Sequence, residues 1–147
     1  MTAKTSTGAR TRARELALQA LYQKQIADHD LNELKRQFHE QVAYDRVDQA
    51  FFDETLCAIV KGEDELADII DRCIDRPRDH LDPVEYGVLL IGTYELSSRI
   101  EIPYRVVINE GVNLAKRFGA LDGHKYINAC LDKAAQELRK IEIEGGL

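Results

Sequence analysis

A chain of 147 residues, 44% of them hydrophobic, has enough apolar side chain for one domain of ordinary size with a real core. A net charge of −6 argues against indiscriminate nucleic-acid binding, and no apolar run approaches the ~20 residues that cross a bilayer. The opening MTAKTSTGARTRARE does not read as a secretory signal, and the odd, widely spaced Cys57, Cys73 and Cys130 read as reduced, buried thiols of a cytoplasmic protein.

Charge is unevenly spread. Residues 1–26 are net +4, residues 27–101 net −11 and residues 102–147 net +1. A basic first helix on an acidic body points to one confined anionic site. Residues 1–9 are small and polar and are expected to be flexible. From Arg10, RTRARELALQALYQKQIAD predicts a helix apolar over more than half its circumference, hence one packed on several sides. Arg10, Arg12 and Arg14 would fall in its first turn, where they oppose the macrodipole, so an anion is the expected reason for them.

Asp30 to Glu33 resembles a capping box and opens a helix carrying Leu31, Leu34, Phe38 and Val42. Asp45 is placed to cap a third, with Val47, Phe51, Phe52, Leu56, Ile59 and Val60 inward. After Gly62 a fourth carries Leu66, Ile69, Ile70, Cys73 and Ile74. Its outer face, Glu63, Asp64, Glu65, Asp68, Asp71 and Asp75, has no calcium-type loop and reads as solvated. Residues 76–82, RPRDHLD, mark the expected boundary between two halves.

Asp82-Pro83-Val84-Glu85 is the clearest helix start in the chain, with a capping aspartate, a first-turn proline and a glutamate closing the box. The helix it opens runs to Ser98 and is nearly apolar all round. Gly87 and Gly92 disfavour it by ~1 kcal/mol each against alanine, so close helix contact is expected there. Residues 102–138 then form a helical hairpin, the hub for the other helices. One stripe is Tyr104, Val107, Ile108, Gly111, Val112, Ala115 and Phe118. The other is Ile127, Cys130, Leu131, Ala134 and Leu138. Gly119 stands where a left-handed cap is wanted and Asp122 where a helix is capped. The turn Asp122-Gly123-His124-Lys125-Tyr126 holds a base and an aromatic that the core does not need. Beyond Leu138 the pattern weakens, and 143–147 are expected to be flexible.

Seven helical segments and no strand make the fold all-α. The four histidines are scattered, with no pair at i, i+4; there is no C-x-x-C, no glycine-rich phosphate loop and no nucleophile elbow. Neither catalysis, a metal nor a cofactor is expected.

Four stretches together resemble one family: ARELALQALYQ (13–23), PVEYGVLLIGTYEL (83–96), IPYRVVINEGVNLAKRFG (102–119) and DGHKYINACLDKAA (122–135). They cover about two fifths of the chain, and in this order and spacing they resemble NusB, the bacterial antitermination family. The resemblance implies two packed helical halves and no enzymatic activity. It implies binding of boxA RNA as a heterodimer with NusE, a small-subunit ribosomal protein. It further implies assembly with the other Nus factors on RNA polymerase, notably on ribosomal RNA operons. Residue by residue, it puts RNA contacts on Arg10, Arg12 and Arg14 and on Asp122, Lys125 and Tyr126. It puts NusE contacts on Tyr22 and Glu85. Thr11 stands where many members have a further base, Tyr126 for the commoner phenylalanine, Gly123 for serine and Gly111 for alanine.

The residues agree with this on their own chemistry. Single-stranded RNA needs cations along its phosphates and a flat face for an unstacked base. Two other readings compete. One is a helical protein–protein adaptor or homodimer whose arginines meet an acidic partner. The other is the targeting domain of an RNA methyltransferase, for which 147 residues leave no room for a cofactor domain.

Overall fold

A computed structural model describes residues 2–145 of the chain, with side chains from Gly8 onward. Among the described residues all regular structure is helical. The α-helices are α1 (Thr2–Ala27), α2 (Leu31–His39), α3 (Gln49–Lys61), α4 (Glu63–Cys73), α5 (Pro83–Ser98), α6 (Tyr104–Phe118), α7 (Gly123–Leu138) and α8 (Lys140–Gly145). Short 3₁₀ turns occupy Val42–Arg46 and Arg78–His80. The all-α expectation is correct, and α8 is the one helix not anticipated. The flexible ends expected at 1–9 and 143–147 fall in part on residues 1, 146 and 147, which lie outside the described residues.

Two compact units divide the chain, Met1–Lys61 and Gly62–Leu147. The division therefore comes before α4, not at 76–82. The apolar face of α4, with Leu66, Ala67, Ile70 and Cys73 buried, packs against α5 and α7. Pro77 only turns the chain between two helices of one unit.

In the first unit α1 packs on α2, α3 and the Val42–Arg46 turn. Ala13, Leu16, Ala17, Leu18, Ala20 and Leu21 are all buried, as a helix apolar on most sides requires. Phe52 is fully buried, with Phe38 at 6.3 Å and the edge of Tyr44 at 5.8 Å between ring centroids. The Tyr44 hydroxyl donates to Asp53 at 3.0 Å, and His39 stacks on Tyr44 while its Nε2 meets Asp53 at 2.7 Å. Burial, then the Asp53 carboxylate, pushes the Tyr44 phenol up to about 12. This cluster explains two departures from expectation. Helix α2 stops at His39, so Val42 is exposed. Asp45 lies within the 3₁₀ turn, and Asp48 caps α3 instead, accepting the Phe51 N–H at 3.1 Å.

In the second unit α5 is buried nearly all round and contacts α4, α6 and α7. Its capping box is complete: Glu85 N–H donates to Asp82 Oδ1 at 2.8 Å, and Asp82 N–H to Glu85 Oε1 at 3.2 Å. Leu131 of α7, fully buried, fills the space that two glycines leave open. A Cβ on Gly92 would lie 2.6 Å from Leu131 Cδ2, and one on Gly111 would lie 2.6 Å from Leu131 Cδ1. The close helix approach expected at Gly92 is thus real. Because both glycines press on one leucine, it cannot retreat from either. Gly92→Ala should therefore destabilise by about 1–3 kcal/mol through overpacking, outweighing the ~1 kcal/mol gain in helix propensity. Urea midpoints check this, and in a Leu131→Ala background the same change should stabilise.

The hairpin corrects three sequence expectations. Phe118 is exposed, and Leu114 takes the buried position. Gly119 is extended (φ −95°, ψ −176°), not left-handed. It is glycine for space, since a Cβ would sit 2.8 Å from the Ala115 carbonyl oxygen. The left-handed residue is Asp122 (φ 67°), whose side chain makes no capping hydrogen bond to α7.

Candidate nucleic-acid interface

Each unit carries one patch built from residues that the sequence singles out. In the first unit the arginines of α1 meet the chain just before α3. The link is set by the backbone: Asp48 N–H donates to the Ala9 carbonyl at 3.1 Å. Arg10 and Arg14, one helical turn apart, share the ring of Phe51, with guanidinium carbons 4.7 and 5.0 Å from its centroid. Arg10 also donates from Nε to Asp48 Oδ2 at 3.4 Å. Arg12 turns away and donates from Nε to the Arg46 carbonyl at 2.9 Å.

Two corrections follow. Helix α1 begins at Thr2, so these arginines lie beyond its first turn and the macrodipole conflict does not arise. Arg14 is only 4% exposed, so its place is against Phe51 rather than among open cations. Arg10 and Arg12 differ: each commits Nε alone, and their terminal nitrogens donate to no group among the described residues. The turn also brings exposed Arg46 beside Arg12, a cation that the sequence reading missed because nothing local marks it.

In the second unit the patch gathers on the start of α7. The Tyr126 hydroxyl donates to Asp75 Oδ1 at 3.0 Å and accepts the Asp75 N–H at 3.2 Å. The Arg76 guanidinium carbon sits 4.0 Å from the Tyr126 ring centroid, and Arg76 Nε donates to the same Asp75 oxygen at 2.8 Å. Burial pushes the phenol up to about 12, while hydrogen bonds from Arg76 and Tyr126 hold the Asp75 carboxyl below its ordinary range. The ring is half-buried and one face is covered by a cation. Lys125 and Asp122 lie beside it on the surface, with Nζ 3.8 Å from Oδ1, an exposed ion pair of little energetic weight. Asp75 and Arg76 were missed because the sequence gives them to an acidic face and a boundary.

Other carboxylates of that acidic face also have definite partners. Asp71 takes Arg78 in a two-point contact at 2.9 and 3.1 Å, and Glu63 accepts the Tyr86 hydroxyl at 2.8 Å. Among the described residues no group of histidine, cysteine, aspartate and glutamate is arranged to hold a metal ion, and no helix is long and apolar enough to cross a membrane.

Of the two residues assigned to a protein partner, Tyr22 is 46% exposed on α1, with Ile26 exposed one turn further on. Glu85 is half-buried in the capping box. Its second carboxylate oxygen would lie 3.8 Å from a Cβ on Gly123, so it stands at the positive end of α7.

The fold defines the class first: an all-α protein of short packed helices, with arginine and aromatic groups at the helix junctions of each unit. The NusB family signature matches residues 11–136. The chain is 45% identical to the transcription antitermination protein NusB of Pseudomonas savastanoi pv. phaseolicola over 142 residues, 97% of this chain and 86% of that relative. It is 46% identical to that of Burkholderia mallei over 136 residues, 92% of this chain and 94% of the relative. The solved structure of T. maritima NusB superposes with a TM-score of 0.81 at 28% identity, covering 92% of this chain and 96% of that one. The chain belongs to the NusB family, a family of transcription antitermination factors and not of enzymes.

Proposed function

We propose that the chain serves transcription antitermination by binding boxA-type single-stranded RNA together with NusE. In that role it joins the other Nus factors on RNA polymerase in the cytoplasm, supporting ribosomal RNA operons. The observation that carries the RNA reading is the state of Arg10 and Arg12. Both are positioned through Nε, and both leave their terminal nitrogens without a partner among the described residues. A guanidinium held that way is prepared for a phosphate oxygen. Arg46 adds a third cation, and Arg14 supports the patch through Phe51. Lys125 and Tyr126 supply a cation and a flat ring in the second unit.

The test is a titration of a boxA-like single strand with and without NusE at several salt concentrations. Affinity should rise with NusE and should fall with salt by about 0.7 in log–log slope per phosphate engaged. Binding that ignores salt, or that survives only as capture of a protein after nuclease treatment, contradicts the proposal.

Tyr22 and Glu85 are proposed to face NusE. Lysine at position 85 cannot accept the Asp82 N–H, so Glu85→Lys should cost about 1 kcal/mol through the lost cap. That corresponds to a few degrees in the thermal midpoint, with the fold kept. NusE recovered in a pull-down should fall far more than that loss of stability explains. Recovery at the unaltered level refutes the contact.

A further inference from the structure

Arg76 is absent from the RNA contacts that the family resemblance implies, yet its guanidinium covers one face of the Tyr126 ring. Two groups lock it there. The ring lies under its guanidinium at 4.0 Å, and Asp75 Oδ1 accepts its Nε at 2.8 Å. That same oxygen accepts the Tyr126 hydroxyl at 3.0 Å. The Asp75 N–H donates back to the hydroxyl at 3.2 Å, so ring, carboxylate and guanidinium form one closed unit. The Arg76 side chain is 41% exposed, and its two terminal nitrogens donate to nothing among the described residues.

Arg78, two residues on, shows the contrast. Its guanidinium is closed in a two-point contact with Asp71 through Nε and a terminal nitrogen. Arg76 has only the single Nε contact, which orients the fork and leaves its outer edge to solvent. Guanidinium planes serve as stacking surfaces for unpaired bases and as two-point donors to phosphate.

We infer that Arg76 is itself an RNA-contacting residue of this patch, giving its terminal nitrogens to a phosphate, and that Tyr126 is the platform positioning it. The inference rests on the RNA reading proposed above and deepens it. Its physical content is that, on the ring face the guanidinium covers, the strand meets Arg76 carried by the Tyr126 ring. The hydroxyl that separates Tyr126 from a phenylalanine then has a use: it holds Asp75, which holds Arg76.

The experiment uses the full chain with NusE and a boxA-like single strand, titrated across salt. Arg76→Gln should lower affinity about tenfold and make the log–log salt slope shallower by about 0.7, the share of one phosphate on a single strand. Tyr126→Leu, which removes the platform, should lower affinity and move the slope in the same direction as Arg76→Gln. If the bare ring were the contact, Arg76→Gln would uncover it, and affinity would hold or rise at unchanged slope; that result overturns the inference. A loss of affinity at unchanged slope also overturns it, because no phosphate was released. Arg76 and Asp75 are both exposed, and unchanged circular dichroism with an unchanged thermal midpoint identifies folded variants. If the unaltered protein fails to bind the strand at any salt, the RNA reading itself falls. If it binds and Arg76→Gln is indistinguishable from it, only the role of Arg76 falls.

Discussion

Arg139→Ala should lower the stability of the protein by about 2–4 kcal/mol, since a buried carbonyl left without its donor costs about 1–3 kcal/mol and the emptied space adds to it. Arg139 follows the last residue of α7 and is 3% exposed. Its guanidinium reaches the end of α5, where intrahelical donors run out: the Glu95 carbonyl still accepts the Arg99 N–H at 2.9 Å, and Arg139 serves the Leu96 carbonyl beyond it. Nε donates to the Leu96 carbonyl at 2.7 Å, and one terminal nitrogen donates to those of Glu95 at 3.1 Å and Arg99 at 3.0 Å. The other terminal nitrogen meets Glu142 of α8. One side chain thus ties the end of α5, the turn after it and the last helix together, with its cation at the negative end of the α5 dipole. Alanine leaves the Leu96 carbonyl facing the interior without its donor, while the exposed Glu142 keeps the Tyr104 N–H at 3.1 Å. At about 2–4 °C per kcal/mol for a chain of this size, the thermal midpoint should fall on the order of 10 °C. Arg139→Lys should recover only part of this, because a single ammonium cannot serve three carbonyls as a planar fork does. A midpoint within about 2 °C of the unaltered protein for Arg139→Ala would contradict this role.

Nothing in the sequence pattern marks Arg139 as different from any other base near a helix end. Features written locally were legible, and those that depend on a distant partner were not. The Asp82–Glu85 capping box was legible because both of its hydrogen bonds lie within four residues. The requirement for a small residue at Gly92 was legible from the cost of glycine in a helix, but Leu131 as its cause was not. Gly119 shows the opposite hazard. A glycine after a helix fits either a left-handed cap or a tight approach, and the sequence cannot separate them; the Ala115 carbonyl decides for the second. The hub stripe failed at Phe118 because a helix end can rotate its last ring outward once Leu114 fills the core.

The candidate site divides in the same way. Arg10 and Arg12 were legible as charge out of keeping with an acidic chain. The burial of Arg14 was not, since it depends on Phe51 from another helix. Arg46 and Arg76 lie in segments with no periodic pattern, and only folding brings them to Arg12 and Tyr126. The acidic face of α4 and the residues after it looked uniform, yet Glu63, Asp71 and Asp75 each hold a specific tyrosine or arginine. Charge runs hide such pairings because every member looks equally solvated.

Arg10→Gln with Arg12→Gln should weaken RNA binding about a hundredfold, since each charge-assisted hydrogen bond to phosphate contributes about 1.5 kcal/mol or more, roughly tenfold. Glutamine keeps a polar side chain of middling length on α1, so the helix itself should be unaffected. Arg14 is left in place because its loss would disturb Phe51 and confuse binding with folding. Arg46 alone cannot replace two cations, and the residual affinity should come from it and from the second unit.

The decisive measurement is the salt dependence of affinity for a boxA-like single strand, made with NusE present, for the unaltered protein and for the Arg10→Gln, Arg12→Gln pair. The log–log slope should become shallower by about 1.4, two phosphates at about 0.7 each, with the folded state unchanged. Superimposable slopes and affinities would show that these two guanidinium groups never touch the strand.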